Sequence, residues 1–135
     1  MDKKLELFMQ LTKVSSIASR RLSGHGLAFS DFMILHLIDY SSEKKLKRID
    51  LADLMGLTAS GVTRMILPLE KLGIIERSDD NTDARARYAK LTKSGKELLK
   101  DATNTLSFKA SDLLPAIKDQ EINDILKTLY SIENN

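Results

Sequence analysis

Residues 49–91, IDLADLMGLTASGVTRMILPLEKLGIIERSDDNTDARARYAKL, constrain the fold of this chain more than any other stretch. Two amphipathic segments are parted by Gly56, and two short apolar runs follow with a polar loop between them. The spacing predicts a helix over 48–55, a turn at Gly56, a second helix opened by Thr58, and a hairpin of 74–77 with 85–91 around the loop 78–84. This is a helix-turn-helix followed by a β wing. In the first helix Leu51, Ala52 and Leu54 are expected to face inward. Steps of about 100° along the second gather Val62, Met65, Ile66, Leu69 and Leu72 on one side and leave Ser60, Arg64, Leu67 and Lys71 on the other. Gly73 is the expected terminator. Pro68 breaks the local rule, since it donates no hydrogen bond and crowds the Arg64 carbonyl, so a kink or loosened turn is expected there. Arg85 and Arg87 project from the returning strand. Proteins of this shape set the second helix against the DNA major groove and the hairpin against the neighbouring minor groove.

The flanks are helical in pattern. Over 2–22, Leu5, Phe8, Leu11, Val14, Ile17 and Ala18 form a stripe at helical spacing, with Arg20 and Arg21 suited to the C-terminal dipole and Gly24 to a stop. A second helix is expected over 30–40, with Ser30 as its N-cap, and the polar run 41–47 reads as a loop. Thr92 caps a long helix whose stripe of Leu99, Ala102, Leu106, Ala110 and Leu113 runs until Pro115. A last helix over 119–132 places Ile122, Ile125, Leu126, Leu129 and Ile132 on one face. The terminal helices are not needed to complete a winged unit, so their apolar faces need another cover. A two-fold dimer sharing a core of terminal helices is the simplest one.

At 135 residues the chain reads as one domain, mainly α with a small β-hairpin wing. The winged part is expected over 28–92, with dimerisation helices over 1–24 and 93–135. No cysteine is present, which excludes disulfides, thiolate metal sites and cysteine redox sensing. His25 and His36 are too few to supply a zinc site alone and read as a loop and a helix-surface histidine. Neither a signal peptide nor a membrane span is visible, and the helices lack the aromatic anchors and basic face of a membrane-surface binder; a cytoplasmic protein without membrane contact is expected. The net charge of +2 argues little by itself, but its distribution is uneven. Residues 84–100 hold six basic side chains against Glu97, whereas 101–135 hold three lysines against six acids. No Gly-rich phosphate loop, nucleophile elbow or paired metal motif points to an enzyme, and no cofactor is implied.

The chain resembles the MarR family of bacterial regulators over nearly its whole length. The resemblance is carried by Leu27 with Phe32 and Leu35, by IDLADLMGLTASGVTRMI, by LEKLGIIER, by Asp83-Ala84-Arg85, and by LTKSGKE. It implies a winged-helix homodimer that binds palindromic operator DNA, usually as a repressor. Matched by position, Thr58, Ser60, Thr63 and Arg64 lie where the recognition helix meets base edges and phosphates. Arg85 matches the wing-tip arginine that enters the minor groove, and Asp83 matches the acid that orients it. Arg77 matches a family position at the end of the first wing strand, where it can pair with wing carboxylates. Two departures stand out. Ala28 replaces a common Thr or Ser, which shifts the expected cap to Ser30, and Pro68 replaces a polar helix former.

Arg64 suits either a bidentate contact to a guanine edge or a phosphate. The resemblance further implies a crevice between the dimer helices and the winged unit that takes a small aromatic or anionic effector. The rival reading is a winged-helix module that binds protein without DNA. Salt separates the two, because phosphate contacts release counterions and an apolar protein interface does not.

Overall fold

A computed structural model describes residues 1–79 and 87–134 of the chain. Its elements run α1 (Lys3–Arg21), α2 (Phe29–Tyr40), β1 (Lys45–Lys47), α3 (Arg48–Met55), α4 (Ala59–Lys71), β2 (Ile75–Asp79), β3 (Arg87–Leu91), α5 (Lys93–Leu113) and α6 (Asp119–Glu133). The mainly helical winged helix-turn-helix expected from the sequence is thus the observed fold.

Local chemistry explains most of the boundaries. Asp2 opens α1, its Oδ1 accepting from the Lys4 amide at 2.7 Å. Thr58 and Thr92 open α4 and α5 by accepting from the amides of Gly61 and Gly95, as their N-cap positions dictate. Gly56 closes α3 at φ 67°, a left-handed conformation that glycine adopts without a Cβ penalty. Gly95 has a different role. A Cβ there would lie 2.1 Å from the Ile74 carbonyl oxygen, so only glycine lets the start of α5 sit against the wing root.

The core is one cluster. Leu27, Ile34, Leu35 and Ile38 from the α2 region meet Leu51 and Ala52 of α3, Val62, Ile66 and Leu69 of α4, Ile75, Ala89 and Leu91 of the sheet, and Leu99 and Ala102 of α5. Full burial of an aliphatic side chain of this size contributes about 1.5–3 kcal/mol. The winged unit therefore shares its core with the first half of α5. By contrast, α1 and α6 contain no buried residue.

Several expectations are corrected. The stretch 41–47 is not all loop, for Lys45–Lys47 form β1 and make the sheet three-stranded and antiparallel in the order β1-β3-β2. Leu46 packs on the core while Lys45 and Lys47 lie over the Tyr88 ring, an alternation too short for a sequence period to reveal. The cap of α2 does not shift to Ser30. Ala28 occupies it, and Asp31 compensates by accepting the Ala28 amide at 3.0 Å. Leu54 is exposed because the buried arc of the short α3 is centred on Leu51, Ala52 and Met55. Leu72 is exposed too, since α4 ends at Lys71 and the chain turns there through Gly73 at φ 73°. The first wing strand extends to Asp79, beyond the expected Arg77. The helix α4 runs without interruption through Pro68 to Lys71.

Among the described residues no helix is long and apolar enough to cross a membrane.

Candidate nucleic-acid interface

The candidate interface starts from the cap of α4. Thr58 Oγ1 receives the Gly61 amide at 3.1 Å and lies 3.3 Å from Ser60 Oγ. Gly61 makes room for this, since a Cβ on it would come within 3.1 Å of the Thr58 hydroxyl. Beyond the cap, Val62, Ile66 and Leu69 bury one side of the helix and thereby fix which side remains in solvent. Ser60, Arg64, Leu67 and Lys71 all lie on that exposed side, as the 100° spacing requires. A hydroxyl, a guanidinium and an amine thus share one helix face.

Thr63 is placed differently from its neighbours. It is half-buried, its hydroxyl donates to the Ala59 carbonyl at 3.0 Å, and Arg48 Nη1 donates to it at 3.4 Å. Its side chain therefore turns toward α3. Arg48 joins the site through this contact, with no sequence motif to announce it. It stands at the first position of α3, where its basic character gave no hint of a partner 22 residues on. Its Nη2 lies 3.1 Å from Glu70 Oε1 in the last turn of α4. Both side chains are only about one-fifth exposed, 22% and 20%.

The wing reaches the same carboxylate. Arg77 Nε lies 3.7 Å from Glu70 Oε2. Among the described residues, then, the acidic partner of Arg77 is on α4 rather than in the wing. Strand register explains the direction. Arg77 pairs across β3 with Ala89, which pairs across β1 with Leu46, so Arg77 shares the inward face of the sheet with these apolar residues. Arg87, two residues from Ala89, is exposed on that same face. The outer face carries Lys45, Lys47, Tyr88 and Lys90, with Lys90 Nζ 3.4 Å from Glu76 Oε1. Asp83 and Arg85 lie outside the described residues.

A family model, the MarR family, matches residues 29–86, from the first residue of α2 into the wing. The helix-turn-helix of this chain, α3 and α4, lies wholly within that match. Over 138 residues it is 23% identical to the HTH-type transcriptional regulator MhqR of Bacillus subtilis strain 168, covering 99% of this chain and 94% of that protein. Among solved structures, it resembles CouR from Rhodococcus jostii RHA1 bound to p-coumaroyl-CoA, with a TM-score of 0.83, 24% identity and coverage of 94% and 91% of the two chains. Sco3205 from Streptomyces coelicolor in complex with DNA gives a TM-score of 0.84 at 17% identity, covering 98% of this chain and 86% of that one. The fold of this chain is thus shared almost end to end with these two structures.

Open depressions among the described residues also lie away from the α4 face, and two of them involve α5 and a neighbouring helix. One, of about 300 Å³ between α2 and α5, is lined by His36, Asp39, Lys96, Leu99 and Lys100 among others. An aromatic ladder runs along α2 to its edge, Phe29 to Phe32 to His36 to Tyr40, with ring centroids 5.7–6.3 Å apart. The other, of about 400 Å³, lies between α1 and the end of α5 and is apolar, with Val14, Ile17, Leu22, Ala110 and Leu113 in its wall.

Proposed function

We propose that this chain is a MarR-family regulator, a homodimeric repressor that binds a palindromic operator and is released from it by a small aromatic or anionic ligand. The observation that carries the reading is the exposed α4 face of Ser60, Arg64 and Lys71 beside a wing face bearing Arg77 and Arg87. Such an array fits a major groove with its flanking phosphates. Thr58 and Ser60 supply hydroxyls near the helix N-terminus, Arg64 reads a guanine edge or holds a phosphate, and Arg85, oriented by Asp83, enters the minor groove. Thr63 acts from the flank, through Arg48. Residues 28–92 form the DNA-binding part, and the segments 1–24 and 93–135 pair two copies.

The chain works by binding rather than by catalysis, in the cytoplasm. The depression between α2 and α5 suits the anionic end of an effector, because Lys96 and Lys100 line it. An effector acts only through different affinities for the DNA-competent and incompetent spacings of the two recognition helices.

Titrating a genomic fragment against salt tests the reading. With six to ten phosphate contacts, affinity falls by roughly a thousandfold or more between about 50 and 200 mM salt. A protein-binding module lacks that dependence. In the same assay Arg64→Ala relaxes the preference at one base pair if Arg64 reads guanine, and weakens all sequences alike if it holds a phosphate.

A further inference from the structure

One carboxylate, Glu70, faces two guanidinium groups, and it does not hold them equally. Arg48 lies closer, at 3.1 Å, has a second tie to the Thr63 hydroxyl at 3.4 Å, and is 22% exposed. Arg77 lies at 3.7 Å through Nε, and its side chain is 44% exposed. A single carboxylate cancels only one of the two positive charges. The cluster therefore keeps a net positive charge at the junction of α4 and the wing, on the face of the sheet turned toward that helix.

We propose that Glu70 divides these arginines between two tasks. Arg48 is a positioning residue that stays on Glu70 and Thr63 and fixes the recognition helix against α3. Arg77 is a releasable cation that leaves Glu70 for a DNA phosphate running between α4 and the wing. The inference rests on the DNA-binding reading and specifies how that site works. Its physics is the difference in desolvation. The Arg48 pair is mostly withdrawn from water and geometrically fixed at two acceptors, so breaking it strands buried charge. The Arg77 pair is longer and half in solvent, where an ion pair contributes little and exchanges readily for another anion. Glu70 does not lose its counter-charge when Arg77 departs, because Arg48 remains. Arg87, exposed on the same face, can flank the same phosphate track.

The two roles respond differently to conservative replacement. A phosphate accepts a lysine ammonium as a point charge, whereas lysine cannot reproduce a guanidinium spanning Glu70 and Thr63. The test measures affinity for a duplex recovered from the source genome by binding selection and for a random-sequence duplex of equal length, each across a salt series, alongside thermal melting. Arg77→Gln is expected to lower the slope of log affinity against log salt by about one per subunit on both duplexes while the melting temperature holds. Arg77→Lys restores that slope. Arg48→Gln and Arg48→Lys alike are expected to leave the slope unchanged, lower the melting temperature, and reduce the ratio of selected to random binding by roughly tenfold.

An unchanged slope in Arg77→Gln overturns the proposal, whatever becomes of the Arg48 variants. Full recovery of melting temperature and selectivity in Arg48→Lys also overturns it. If the unmodified protein binds neither duplex, the DNA-binding reading itself fails, and this inference with it. The two failures are therefore distinguishable.

Discussion

The winged unit and the terminal helices have similar sequence patterns and opposite fates. Every buried hydrophobic residue among those described lies between Leu27 and Leu106. In α1 and α6, stripes of equally regular spacing contain no fully buried residue, with Phe8 50% exposed and Ile125 52% exposed. Amphipathic periodicity therefore says that a helix has an apolar face, and says nothing of whether its own chain covers it. In this molecule it marks a cored unit in the middle, closed by α5, and a pair of exposed apolar faces at the ends.

The comparison can be broken at its stronger side first. Ile66 is fully buried at the centre of the winged core, and Ile66→Ala is expected to cost about 2–5 kcal/mol in urea unfolding. A cost below about 1 kcal/mol would mean that the core is not concentrated where the burial places it. On the other side, Ile125→Asp on α6 is expected to weaken self-association by about 2 kcal/mol or more, read as a shift in the dissociation midpoint by sedimentation. Within one chain the same change touches little. Unchanged association with lowered monomer stability would reverse the contrast between the two regions.

Smaller effects sharpen it. Thr92 ties the wing root to α5, accepting the Gly95 amide at 3.0 Å and donating to the Gly73 carbonyl at 2.6 Å. Thr92→Ala is expected to cost about 1 kcal/mol in the same unfolding assay. Lys3, 90% exposed and 3.4 Å from Glu6, gives the smallest effect. Lys3→Ala is expected to shift stability by less than about 0.5 kcal/mol, because an exposed ion pair of this kind is screened and loosely held.

The parts of the fold legible in the sequence are those whose signals are local. The caps at Thr58 and Thr92, the turn at Gly56 and the inward side of α4 each depend on a few neighbouring residues. The strand β1 was missed because three residues cannot display a period of two, and only pairing with β3 makes them a strand. Ala28 was passed over as a cap because its compensation comes from Asp31, three positions on. The exposed face of Ser60, Arg64 and Lys71 followed from helix geometry. The Arg48–Glu70–Arg77 cluster did not, for it joins α3, α4 and β2, and no spacing rule connects residues 48, 70 and 77. Arg77 is legible as a basic residue of the wing, but its partner on α4 is not.

The central claim is that two copies, joined through their terminal helices, present two recognition helices to one DNA site. Selecting bound fragments from the source genome, at two salt concentrations, tests it most directly. The account predicts a two-fold symmetric motif whose half-sites are centred about one helical turn, roughly 10 bp, apart, with recovery falling steeply at the higher salt. Recovery of fragments with no symmetric motif, or of none at all, would contradict it.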